Sequence, residues 1–333
     1  MIILVFKEIL INRYTFYRHV DFYKEDMAMA NVWDAEHIVN DDLALSIIQD
    51  QFKDLNAQSI QLLGVGWDNT AYLINDSYVF RFPRRTIAVR LLQNELMVLP
   101  KIAPLLPLPI PVPKWVCHTS NTFMWPFAGY RHLQGKTADH ANLSDEERKQ
   151  LAIPIAKFLK DLHSICIEEF KHILPFDSMG RLNIATLISK IEINLQEIER
   201  LHLLQYKNKL LDILNTAHQL TEAKNNTLVH GDFYLRHLLI DDNHQLCGVI
   251  DWGNMHLGDP AIDFAIAHSF LPSSAHSIFK NAYGEIPEET WALARLRALQ
   301  HSSLLVVYGH TSKDEILKRE GLRSLNFIAQ QIE

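Results

Sequence analysis

The chain has 333 residues, 48% of them hydrophobic, with a formal net charge of -7. That length and apolar content are enough for two lobes with separate cores and exclude a disordered or collagen-like chain. Of 39 acidic and 32 basic residues, 13 of each fall in residues 1–136, leaving 26 and 19 in the remainder; this acidity argues against a nucleic-acid partner and suits either a cationic substrate or simply a soluble surface.

The first apolar run is interrupted by Lys7, Glu8, Arg13 and Arg18. It is too short for a signal sequence or for a membrane span, which needs roughly 20 apolar residues. Residues 1–36 therefore read as an N-terminal extension, and no membrane partner is expected. Apolar residues at helical spacing then predict a helix over Asp34 to Leu55. Ser59 to Leu63 forms a strand, Gly64 to Asn69 a glycine-rich turn, Ala71 to Ile74 a returning strand and Tyr78 to Phe82 a third. Gly64 and Gly66 lack side chains, so backbone amides in that turn can approach phosphate oxygens. Thr86 to Leu99 reads as a helix stopped by Pro100. The proline-dense stretch over 105–113 then makes an extended connector to strands at Trp115 to Cys117 and Trp125 to Leu133.

Beyond this point the pattern turns helical. Ser144 and Glu147 form a capping box that starts a helix running toward His163, itself read as a buried structural residue. Helices follow over Ile184 to Leu203 and Tyr206 to Ala223, joined near His202. Glu192, Glu197, Glu199 and Asp212 make that pair acidic, a feature that equally describes a solvated helix face. The cysteines, Cys117, Cys166 and Cys247, have no metal-ligand spacing and read as reduced thiols of a cytoplasmic protein.

The stretch from Leu228 to Phe264 carries the chemistry. Strands at Leu238 to Ile240 and Leu246 to Ile250, with Asp241, Asp242 and Asn243 turning between them, form a hairpin that brings His237 beside Asp251. Asp232 sits on the loop entering the first strand, where a side chain can face a cleft. Helices at Asp263 to Phe270, Pro287 to Leu305 and Ile316 to Gln331 complete the chain.

His230, Gly231 and Asp232, then His237, then Ile250, Asp251 and Trp252 stand at the spacing of the catalytic loop and metal-binding aspartate of kinases. With Gly258, Asp259, Pro260 and Asp263, this stretch resembles the aminoglycoside phosphotransferase family of antibiotic and small-molecule kinases. The resemblance covers roughly residues 40 to 320. His237 stands where most of that family has Asn, a feature most similar to macrolide 2'-phosphotransferases.

The resemblance implies an α+β, two-lobed protein-kinase-like fold: a small N-lobe with an antiparallel sheet over 37–134 and a larger, mainly helical C-lobe over 135–333. It implies transfer of the γ-phosphoryl of GTP or ATP, with Mg2+, to a small-molecule hydroxyl. A macrolide is the leading acceptor and an aminoglycoside the next, with antibiotic resistance the corresponding role. Asp232 would be catalytic. Asp251 and His237 would hold the metal, although His237 can also be read as supporting a ligand rather than being one. Gly64, Gly66 and Asn69 would cover the phosphates. Arg81 would hold them in place of the usual lysine, with Glu95 as its partner, although Arg84 and Arg85 compete for the role and Glu95 can also be read as an exposed helix residue. Tyr130, Arg131 and Leu133 would belong to the hinge that receives the base. Asp263 would hold the catalytic loop in shape, and Asp259 would either face the acceptor or cap a helix. The expected assembly is a monomer or weak dimer. Two other readings remain: a housekeeping kinase of a choline-, homoserine- or sugar-like metabolite, and a nucleotide-binding pseudokinase.

Overall fold

The computed structural model describes residues 35–66, 68–117, 123–177, 179–221 and 226–331, so most of the expected N-terminal extension, with Trp67 of the glycine-rich turn, lies outside the described residues. Helix α1 (Asp41–Gln51) opens with Asn40, whose side chain accepts the N–H of Leu43. It packs behind a five-stranded antiparallel sheet of β1 (Ile60–Val65), β2 (Asn69–Ile74), β3 (Tyr78–Pro83), β4 (Pro113–Val116) and β5 (Ala128–Arg131). The strand order is β1-β2-β3-β5-β4. Alternation places Phe80 and Phe82 on the buried face with Phe127, and Phe82 stacks on Phe127 at 4.3 Å between ring centroids.

Helix α2 (Thr86–Ile102) continues past Pro100, where the sequence suggested a stop. Proline removes one N–H there, but Val98, Leu99 and Ile102 are wholly buried on either side, and their packing holds the last turn. The helix expected from Ser144 to His163 is instead two, α3 (Asp145–Gln150) and α4 (Ala152–His163). Pro154 explains the break, since it cannot donate to the carbonyl of Gln150 and its ring crowds that oxygen. The capping box of Ser144 and Glu147 is present as expected.

The C-terminal region is mainly helical: α5 (Ile184–Arg200), α6 (Lys207–Ala217), α7 (Ala261–Ser269), α8 (His276–Tyr283), α9 (Glu288–Thr311) and α10 (Glu315–Ala329). Helix α8 was not expected from the sequence; it is bounded by Pro272 and by Gly284 at φ +115°. Short strands set residues 227–258 among these helices. β7 (Thr227–Val229) pairs with β10 (His256–Gly258), and β8 (Leu238–Ile240) lies between β6 (Lys136–Thr137) and β9 (Leu246–Val249). Among the described residues no helix is long and apolar enough to cross a membrane.

Histidines buried in this helical core make a pH prediction. Burial, reinforced by nearby Lys280 and Arg295, pushes His276 down to about 4, while its Nε2–H donates to the carbonyl of Ala267 at 3.0 Å. The unfolded chain takes up a proton near pH 6.5 that the folded chain refuses until about pH 4, so the contribution is complete above 6.5 and is lost as pH falls through that window. Urea unfolding should show His276 costing the wild type about 2–3 kcal/mol between pH 7 and 4.5, with a shallower loss in His276→Gln.

Candidate active site

The loop between β7 and β8 is fixed from beneath. Asp263, wholly buried at the start of α7, accepts the N–H of His230 at 2.8 Å and that of Gly231 at 2.9 Å. His163 approaches the same carboxylate at 3.2 Å and bonds on its other side to the Tyr283 hydroxyl at 3.1 Å. Burial works against the Asp263 charge, but these donors outweigh it and hold the carboxyl below its ordinary range. Asp259 caps the same helix by accepting the N–H of Ala261 at 2.9 Å. Gly231 has φ +80°, and a Cβ there would lie 2.3 Å from the carbonyl oxygen of Asn254, so only glycine fits.

His230 is buried and neutral: desolvation lowers its pKa, its Nε2–H donates to the Ile250 carbonyl at 3.0 Å, and Nδ1 accepts the Asp232 N–H at 3.3 Å. These bonds tie the loop to the far end of the β8–β9 hairpin. That hairpin juxtaposes His237 and Asp251 as its sequence suggested, with His237 Nε2 3.3 Å from Asp251 Oδ2. His237 Nδ1 lies 2.8 Å from the carbonyl oxygen of Asp232, which only accepts, so Nδ1 carries a proton and Nε2 faces Asp251. Burial opposes charge on His237, yet Asp251 and Asp232 raise it to about 9. Asp251 adopts φ +62°, a left-handed conformation that Asp tolerates better than most residues. Its side chain remains 48% exposed.

On the sheet side, Arg81 of β3 donates to Glu95 of α2 at 2.9 Å and lies 3.7 Å from Asp251. The Tyr130 hydroxyl adds a bond to Glu95 at 3.2 Å. Burial opposes the Arg81 charge, but Glu95 outweighs it and keeps the guanidinium protonated. The two competing arginines are held elsewhere: Arg84 donates to the Gly66 carbonyl and Arg85 pairs with Asp68. Glu95 is therefore not the exposed helix residue that its position also allowed; it is 1% exposed.

The glycine-rich segment is tighter than its sequence suggested. Gly64 lies in β1 opposite Ala71 and Asn69 begins β2, because Gly66 N–H closes the hairpin onto the Asn69 carbonyl at 2.9 Å. Tyr130 lies within β5, between β3 and β4, with its side chain buried on Glu95. Arg131 ends that strand and is exposed, and Leu133 follows it beside Gly248.

Sequence reasoning missed the groups beyond Asp232. The cavity at Gly231, Asp232 and Tyr234 is closed on its other side by Ser269, Arg297 and His301, from α7 and α9. Tyr234 makes edge contacts with His237 at 4.5 Å and with His301 at 4.8 Å. The candidate groups therefore run in a row, from Arg81 and Glu95 through Asp251 and His237 to Asp232, then on to His301 and Arg297. No local sequence signal joins the two ends of that row.

The model of the phosphotransferase enzyme family matches residues 59–299 of this chain. The uncharacterized protein YcbJ of Bacillus subtilis (strain 168) is 30% identical over 66 residues, a match spanning 20% of this chain and only 22% of that relative's length. Among solved structures, the fold is similar to the GDP complex of wild-type aminoglycoside 2'-phosphotransferase-IIIa, with TM-score 0.66 and 24% identity over 88% of this chain and 99% of that one. It is also similar to macrolide 2'-phosphotransferase MphH from Brachybacterium faecium, with TM-score 0.56 and 18% identity over 86% and 97% of the two chains.

Proposed function

The chain belongs to the phosphotransferase enzyme family, and from that premise we propose that it moves the γ-phosphoryl of GTP or ATP to a hydroxyl of a small molecule, with Asp232 at the reacting hydroxyl. The observation that carries this reading is the pairing of His237 Nε2 with Asp251 Oδ2 at 3.3 Å, with His237 Nδ1 held on the Asp232 carbonyl and Arg81 3.7 Å from Asp251. Positioning and charge stabilisation supply most of the catalysis in phosphoryl transfer, so a row of fixed groups suits the reaction.

In this reading Asp232 accepts the hydroxyl hydrogen bond, orients the oxygen and takes its proton. Arg81, fixed by Glu95 and Tyr130, binds nucleotide phosphate oxygens as a planar donor. Asp251 and His237 would hold Mg2+: two protein donors suit an ion that keeps several waters and takes further oxygens from phosphates, although imidazole is the less usual partner. When bound, the ion would offset the negative charge that develops on the transferring phosphate. Tyr130 contributes by orienting Glu95, and the backbone of 131–133 is the part of the hinge left to meet the base.

An antibiotic acceptor, macrolide or aminoglycoside, is supported by the likeness in fold to enzymes whose names carry those substrates. A metabolite acceptor is the second reading, and the few polar side chains that close the cavity beyond Asp232, Ser269, Arg297 and His301, favour a small polar acceptor. The test combines the purified protein, magnesium, and GTP or ATP with macrolides, aminoglycosides and small alcohols, and reads the product mass. One phosphate gained by an acceptor supports transfer. In the same protein magnesium should tighten nucleotide binding about tenfold or more, a gain that Asp251→Asn loses. Equal nucleotide affinity with and without magnesium would count against the metal role.

A further inference from the structure

The loop that carries Asp232 is held at its start by Asp263, through the N–H groups of His230 and Gly231. Its end is held by a different side chain. Arg236, one residue before His237, divides its guanidinium between two carboxylates: Nε donates to Asp139 Oδ2 at 2.7 Å, and an Nη donates to Asp314 Oδ2 at 2.5 Å. These carboxylates come from parts of the chain far apart in sequence. Asp139 follows β6, shortly after the 131–133 backbone left to meet the base. Asp314 lies in the turn after α9, where its other oxygen accepts the Leu317 N–H that opens α10.

Burial makes this junction demanding. The Asp139 side chain is wholly buried; besides Arg236 it accepts the Thr137 hydroxyl at 2.5 Å and lies 3.0 Å from His140 Nδ1. Burial works against its charge, but these donors outweigh it and hold the carboxyl below its ordinary range. Burial also opposes the Arg236 charge, and Asp314 and Asp139 together outweigh it. The backbone is tied at the same place. The Ala138 N–H reaches the carbonyls of Leu235 at 3.1 Å and Leu238 at 3.0 Å, on either side of Arg236. The His237 N–H closes a turn onto the Tyr234 carbonyl at 2.9 Å, and the His237 carbonyl receives the Ile250 N–H at 2.9 Å. That turn is what presents His237 to the Asp232 carbonyl on one side and to Asp251 on the other.

We propose that Arg236 is a positioning residue for phosphoryl transfer: by holding Asp139 and Asp314 together it fixes the turn of residues 234–237 and so sets His237 between Asp232 and Asp251. This rests on the phosphotransferase reading and assigns a further residue to it. A side chain that touches no reacting group can still govern the rate, because a misplacement of about 1 Å can cost about 10²-fold. Arginine suits the task. Its planar fork carries donors in fixed directions that reach two carboxylates at once, whereas lysine has one nitrogen on a flexible stem. Arg236 also neutralises the buried Asp139, and the variants below separate that role from positioning.

The test uses the full chain with magnesium, ATP or GTP, and an acceptor that the wild type phosphorylates. Arg236→Met should lower kcat by about 10–10²-fold, with KM for nucleotide changed by less than about threefold. In the same variant without nucleotide or magnesium, hydrogen exchange at the His237 and Ile250 amides should be faster by about tenfold or more, while the buried amides of α4 keep their protection. Because Arg236→Met leaves Asp139 buried and unpaired, it is paired with Asp139→Asn: the double variant should regain part of the urea midpoint while kcat stays low. Arg236→Lys keeps the charge without the fork; it should hold the urea midpoint near that of the wild type and still lose about tenfold in kcat. Recovery of kcat together with stability in the double variant, or full activity in Arg236→Lys, would show that Arg236 only neutralises Asp139 and overturns the proposal. Unchanged exchange at His237 and Ile250 in Arg236→Met overturns it as well, whether or not an acceptor has reacted. A wild type that neither binds nucleotide nor phosphorylates any acceptor is the separate result that sinks the phosphotransferase reading, and the positioning role with it.

Discussion

Asp232→Asn should lower acceptor phosphorylation by roughly 10²–10⁴-fold, the range expected for loss of a positioned general base. The backbone of Asp232 is already engaged on both sides: its N–H bonds to His230 Nδ1 and its carbonyl receives His237 Nδ1–H. The side chain, with Oδ2 3.8 Å from His237 Nδ1, is 27% exposed, and in the proposed reaction it meets the acceptor. Asparagine keeps the shape and those backbone bonds but cannot take the proton. The loss should therefore fall on kcat, with KM for nucleotide changed little, in a steady-state assay that follows phosphorylated product. A variant within about tenfold of wild type would show that Asp232 only shapes the loop.

The second large effect is on stability. Asp263→Ala should cost about 3–5 kcal/mol in urea unfolding, the usual penalty for removing one partner from a buried, charge-assisted set. The substitution strands the buried N–H groups of His230 and Gly231 and removes the carboxylate facing His163. Asp263→Asn should lose less, because its amide oxygen can still accept one of the two backbone bonds. A loss below about 1 kcal/mol in the alanine variant would mean that the loop holds its shape without this carboxylate.

Sequence and structure divide the explanation along a physical line. Signals carried by neighbouring residues were legible. The β8–β9 hairpin follows from apolar runs around Asp241 to Asn243, and it puts His237 against Asp251 without help from the rest of the chain. The Ser144 capping box and the three strands from Ile60 to Pro83 are local in the same way. The break at Leu151 was also written locally, in Pro154, but helical periodicity on both sides masked it.

Choices among chemically equal residues were made by packing. Arg81, Arg84 and Arg85 are alike as letters, and the register that sets Arg81 against Ala71 and Ala128 points it at Glu95, while the other two fall at the hairpin tip. Charge shows the division most sharply. Net charge is a sum over the sequence, and its whole acidic excess falls in residues 137–333. The field around Asp232 depends on which side chains turn inward, and Arg297 and His301 meet it only when α9 packs beside the loop that follows β7. Local sequence determined the hairpin and the His237–Asp251 pair it carries, because turn and strand preferences act between neighbours. Tertiary structure alone decided which charged side chains gather around Asp232, because electrostatic interaction depends on distance in space rather than along the chain.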